Sequence, residues 1–215
     1  MATKVSTILL NAATALTDER NHRRWPLSEL MRYLNDGLLE LLEARPQAFS
    51  ETRSHNLTAG SRQTVSGVYA VLDVPMNVDP LDTTVPKRTI RRVTKRHLDN
   101  FDRDWHSATP ATLVNNVVLD EFQKHRFWVH PPSDGTGAVE IEVAVSPDTI
   151  AVASGDDPEV LASYDIDLPV DAVYAPALTY YVLHRAWAKD ADFAANQQNS
   201  NQYYELFKQA VGAES

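Results

Sequence analysis

Apolar residues at Leu27, Leu30, Met31, Leu34, Leu38, Leu41 and Leu42 recur with the 3.6-residue period of a helix, and that period does not persist along the chain. From about residue 55 to 147 it shifts toward two, and past residue 168 it returns to 3.6. One-faced helices must bury their stripes, so the outer pairs are expected to cover one another. The resulting fold class is α+β: a discontinuous helical bundle formed by N- and C-terminal helices, with an inserted antiparallel β domain. The expected division places the bundle in residues 1–50 and 165–215, the β domain in 51–148 and a connecting loop in 149–164.

A first short helix carries Ile8, Leu9, Ala12, Ala13 and Leu16, and ends at Thr17-Asp18 and a polar run to Arg24. Pro26 suits the first position of the second helix, where a missing amide costs nothing, and Pro46 pushes Arg45 out of helical geometry. Strands are predicted near Val68–Val74, Lys87–His97, Leu113–Asp120, Arg126–His130 and Ala138–Ser146. In the last, Val139, Ile141, Val143 and Val145 point one way and Glu140 and Glu142 the other. Gly135-Thr136-Gly137 predicts a turn that makes it a hairpin with Phe127–His130.

Residues 147–167 have prolines, a glycine and acids without a sustained period, and read as a loop. A third long helix is expected from Pro169, on Val170, Val173, Tyr174, Ala177, Leu178, Tyr181, Val182 and Ala186. Pro176 then either kinks it, at about 3 kcal/mol, or marks a later start. Tyr203, Leu206, Phe207, Ala210 and Val211 predict a terminal helix that Gly212 ends.

The absence of cysteine from all 215 residues excludes a disulfide framework, a thiol nucleophile and an iron–sulfur cluster. The seven glycines form no phosphate loop or dinucleotide fingerprint, and no G-x-S-x-G elbow occurs. His22, His55, His97, His106, His125, His130 and His184 are scattered, and His125 and His130, five apart, fall on opposite faces of a strand. Asp156-Asp157 and Asp165/Asp167 lack the dense oxygen series of a calcium site. The expectation is a non-enzyme with no catalytic residue, metal or cofactor. No stretch reaches the 18 apolar residues of a membrane span, and the opening is too short and broken for a secretory signal, so a cytosolic origin is expected.

One segment departs from this background. Lys87, Arg88, Arg91, Arg92, Lys95 and Arg96 place six positive charges in eleven residues with no carboxylate among them, and setting them aside takes the net charge from −9 to −15. As a strand it would be basic on both faces, with Arg88, Ile90, Arg92, Thr94 and Arg96 on one and Arg91, Val93 and Lys95 on the other, which fits an exposed extended arm. Such an arm either docks on an acidic neighbour or tracks phosphate. Trp25, Trp105, Trp128 and Trp187 are core residues or, for Trp105 and Trp128, candidate interface anchors.

The run WPLSELMRYLNDG from Trp25 to Gly37, followed by ARPQAF from Ala44 to Phe49, resembles the opening of the tailed-bacteriophage head-to-tail adaptor proteins, related to the podovirus tail tubular A-type proteins. Similar small motifs follow in order: Leu57, Gly60 and Gln63; Ile90 to Val93; Leu98-Asp99; Trp105-His106; Leu119-Asp120; Phe127 to Pro132. Leu168-Pro169, Tyr181, Arg185-Ala186, Lys189-Asp190 and Tyr203 to Phe207 complete them. The resemblance implies a structural protein of the virion neck, assembled in the host cytoplasm as a homo-oligomeric ring, commonly a dodecamer. Its implied partners are the portal protein, the tail or nozzle protein, and genomic DNA passing through the lumen without sequence-specific binding. Net negative charge suits a channel in which DNA must slide. The alternative is a nucleic-acid-binding module that grips phosphate with residues 87–96.

Overall fold

In the computed structural model, residues 3–18, 24–189 and 194–212 are described; His22, Asp190 and the tail after Gly212 lie outside them. The chain divides into two compact units, Met1–Ala48 with Pro147–Ser215, and Phe49–Ser146, and the fold is α+β.

The helical unit contains α1 (Val5–Ala15), α2 (Leu27–Ala44), α4 (Ala175–Ala188) and α5 (Ala194–Val211). Helix α2 buries the stripe from Leu27 to Leu42. Between its rows, Gly37 lies so close to α4 that an added Cβ would stand 2.9 Å from Cδ1 of Tyr181, which is why a glycine sits in mid-helix. Pro26 stands just outside α2 as its N-cap, and the carboxylate of Glu159 accepts from the orphan N–H groups of Leu27 at 2.8 Å and Ser28 at 3.4 Å. At the opposite end Arg45 donates to the last carbonyl of α5, that of Val211, and to that of Gly212 just beyond it, where the helix dipole favours a cation. Gly212 there takes φ +64°.

The third helix starts later than Pro169. Residues 169–171 are irregular, a 3-10 turn spans Ala172–Tyr174, and α4 begins at Ala175, so Pro176 occupies the first turn, where its missing N–H is harmless. No interior kink is required.

Residues 147–167 have little regular structure beyond a 3-10 turn at Leu161–Tyr164, yet they are pinned to the unit. Asn35 donates to the carbonyl of Ile150 and accepts from its N–H, both at 2.9 Å, in addition to the Glu159 cap. Tyr164 is buried, and Lys4 pairs with Asp165 and Asp167.

The β unit holds two four-stranded sheets. One has the order β1 (Ser50–Asn56), β8 (Ala138–Ala144), β3 (Ala70–Val78), β4 (Pro86–Thr89) and is wholly antiparallel. The other has the order β2 (Gly60–Thr64), β7 (Arg126–Ser133), β6 (Asn116–Leu119), β5 (Arg91–Arg92), with β5 parallel to β6. Val71, Val74, Val139, Ile141 and Val143 from the first sheet meet Val117, Phe127 and Val129 from the second in one buried cluster, as in a sandwich. The turn at Gly135–Gly137 therefore does not close a hairpin. It carries the chain from β7 in one sheet to β8 in the other, and Gly137 passes so near the Thr112 carbonyl that a Cβ would lie 2.1 Å away.

Strand β1 begins before the predicted onset near residue 55, and neither it nor β2 is among the predicted strands. Their sequences, SETRSHN and GSRQT, are polar: both are sheet edges, β1 is almost wholly exposed, and the one buried residue of β2 is the polar Gln63, so no apolar alternation marks them. The 87–97 segment is not one strand. It comprises β4, β5 and the first residues of a helix, α3 (Lys95–Phe101).

Candidate functional site

The basic segment is held by a sequence of local constraints. Asp79 accepts from the N–H of Leu81 at 2.9 Å and pairs with Lys87 at 3.1 Å, which closes the turn between β3 and β4; the Leu81 N–H first and Lys87 second hold its carboxyl below the ordinary range. The fully buried Asn77 donates to the carbonyls of Arg88 and Val114 and accepts from the Val114 N–H, each at 2.9 Å. Ile90 is the crossing point between sheets: its side chain enters the core and its N–H donates to Pro75. That inward step breaks the two-faced alternation expected of a single arm. Arg91 and Val93 then donate to Asn115 and Val117, placing β5 beside β6.

Thr94 next caps α3 by accepting from His97. Threonine's favourable N-cap position converts the run into a helix at Lys95, a signal the charge pattern obscures. Lys95 pairs with Asp99 at 3.0 Å, and Asp99 accepts from the indole N–H of Trp105 at 2.9 Å. The Trp105 N–H first, then Lys95, hold the Asp99 carboxyl low.

Trp105 is 0 % exposed, clustered with Leu98 and Val118 and stacked on His106 at 3.6 Å, so it takes the core role and presents nothing to a partner. Trp128 is half-buried against the same cluster, with the Arg126 guanidinium 5.1 Å from its ring centroid.

The six cations thus separate into two groups. Lys87, Arg88 and Lys95 are held by Asp79, Asn115 and Asp99 respectively. Arg91, Arg92 and Arg96 are exposed and make no ion pair or side-chain hydrogen bond among the described residues. Phe101, at the end of α3, is 82 % exposed. The predicted strand ends at His97, before the helix that carries Phe101, which is why sequence reasoning misses it. An exposed aromatic and free arginines in one short segment have the residue types enriched at protein-docking surfaces.

Two further exposed apolar residues went unmarked by the sequence: Leu81, 97 % exposed, and Phe122, 93 % exposed. Each sits two residues after an aspartate that accepts its N–H, Asp79 and Asp120. An Asp-x-apolar pattern between strands is the available signal.

Among the described residues no group of three or more His, Cys, Asp or Glu is placed to hold a metal, and no helix is long and apolar enough to cross a membrane. A family model described as SU10 adaptor protein matches residues 3–215, which takes in both units. No curated protein matches the chain.

Proposed function

The chain belongs to the SU10 adaptor protein family, a family of phage adaptors, and from that premise we propose that it is a non-enzymatic structural component of the virion neck that works by docking. In this reading, copies associate into a ring below the portal protein, extend the DNA channel and offer the attachment surface for the tail. The observation that carries it is the family match across the whole described chain. Three exposed arginines without partners among the described residues, in the same segment as exposed Phe101, support it, because arginine and aromatic side chains are enriched at protein interfaces. A contact repeated head to tail around a closed axis generates a ring without self-complementary patches. Obligate interfaces of that kind bury roughly 2,000–5,000 Å².

Mixing the purified protein with portal-bearing heads and imaging the product tests this directly. Added density at the portal, in several copies around the axis, is expected; a chain that leaves the heads bare is the contrary result.

The same three arginines favour one second reading, a surface that holds nucleic-acid phosphate. Affinity for duplex DNA that falls about linearly in log–log terms with salt would support it. The adaptor reading expects little DNA binding by the free chain, whose net charge is −9.

A further inference from the structure

Between Arg126 and Arg185 the sequence contains no lysine or arginine, while ten aspartates and glutamates fall in that interval. Seven of the ten lie in residues 147–171 of the helical unit: Asp148, Asp156, Asp157, Glu159, Asp165, Asp167 and Asp171. All seven are exposed. Only Asp165 and Asp167 pair with a cation among the described residues, and both with Lys4. Val160 and Val173, 46 % and 71 % exposed, add apolar surface to the same stretch. The run is held in place by Asn35 and by the Glu159 cap on α2.

We propose that the exposed segment from Arg91 to Phe101, through the side chains of Arg91, Arg92, Arg96 and Phe101, docks on the acidic run 147–171 of a second copy of this chain. The inference rests on the adaptor reading and names the contact through which its copies associate. Charge complementarity selects this occupant: one surface holds unpaired cations beside an exposed aromatic, the other holds unpaired carboxylates beside exposed valines. A basic surface cannot meet its own equivalent, and in the ring of the adaptor reading the contact is heterologous: each copy gives it to one neighbour and receives it from the other. In a chain of net charge −9, whose copies otherwise repel, an attractive contact of this kind also fixes the orientation of approach.

The test reverses each surface separately and then both together. R91E/R92E/R96E reverses the basic segment; D148K/D156K reverses the acidic run at two side chains that make no hydrogen bond or ion pair among the described residues. Each alone is expected to lower incorporation into phage particles by on the order of a hundredfold, since like charges then face each other. The chain carrying all five changes is expected to recover most of that loss. Continued failure of the five-fold variant overturns the contact and assigns the basic segment to the portal, the tail or nucleic acid; unchanged incorporation of either one-sided variant overturns it too. If a variant does not fold, R92C/D156C in this cysteine-free chain, joined by a short bismaleimide in assembled particles, gives an independent readout. A ladder of cross-linked copies is expected, and monomer alone is the contrary result. Absence of the natural chain from particles would overturn the adaptor reading itself, whereas its presence without rescue or ladder overturns this contact alone.

Discussion

Aspartates in the loops of this protein shape the backbone as much as they charge the surface. Asp79, Asp82, Asp102, Asp120, Asp134, Asp157 and Asp171 each accept the N–H two residues ahead, a local bond that builds a turn without glycine. Asp120 is the most heavily used: it is buried, accepts from Phe122 at 2.9 Å and Gln123 at 3.2 Å, and pairs with Arg126. Burial works to raise its carboxyl, but the two N–H groups and the Arg126 guanidinium outweigh that and hold it below the ordinary range. A depressed carboxylate contributes stability that is complete above its unfolded value, near pH 4, and is lost as pH falls from there through the folded value. Asp120→Asn is therefore expected to cost about 3 kcal/mol at pH 7, by leaving Arg126 without its partner. Denaturant titrations below pH 4 should bring the two proteins together; a constant gap down to pH 2 would contradict the assignment.

At the scale of elements, packing sets which substitutions are tolerated. Gly37→Val drives a branched side chain into the Tyr181 ring and should cost about 2–3 kcal/mol in thermal melts. Trp105→Ala should cost about 3–5 kcal/mol, because it empties the cluster that supports α3 and removes the partner of Asp99. A melting temperature unchanged in either variant would remove the corresponding contact from the description. Elements with buried stripes were legible in the sequence: α1 and α2 begin and end within a few residues of expectation, and β8 shows its alternation as Val139, Ile141 and Val143 buried against Glu142 exposed; α5 ends where expected but starts at Ala194, nine residues before Tyr203, because its first turns are polar. Edge strands β1 and β2 were not, since a strand with exposed side chains carries no two-residue period. The hairpin of β7 and β8 failed for a different reason. A Gly-x-Gly turn reports a reversal of direction but not which sheet receives the next strand. The basic segment was legible as charge and illegible as shape, because a threonine cap and one buried isoleucine determine its path. Of the candidate site, the cations were found and Phe101 was not.

For the whole molecule, the charge is partitioned in a way that bears on assembly. Six cations concentrate in residues 87–96, while no lysine or arginine occurs from 127 to 184, and the sum remains −9. Reversing Arg91 and Arg92 together is expected to block assembly without lowering the melting temperature, since neither side chain has a partner among the described residues; normal particles from R91E/R92E would count against a docking role. Association through such a surface should also weaken as ionic strength rises, because exposed charges are screened over about 10 Å at 0.1 M salt. Sedimentation of the protein on portal-bearing heads at two salt concentrations measures that dependence.

Cryo-electron microscopy of purified particles of the phage that encodes this chain tests the adaptor function most directly. Expected are several copies arranged around the channel axis between portal and tail, each with its helical and β units recognisable. Particles whose neck contains no density for this chain, while head and tail are intact and joined, would contradict it.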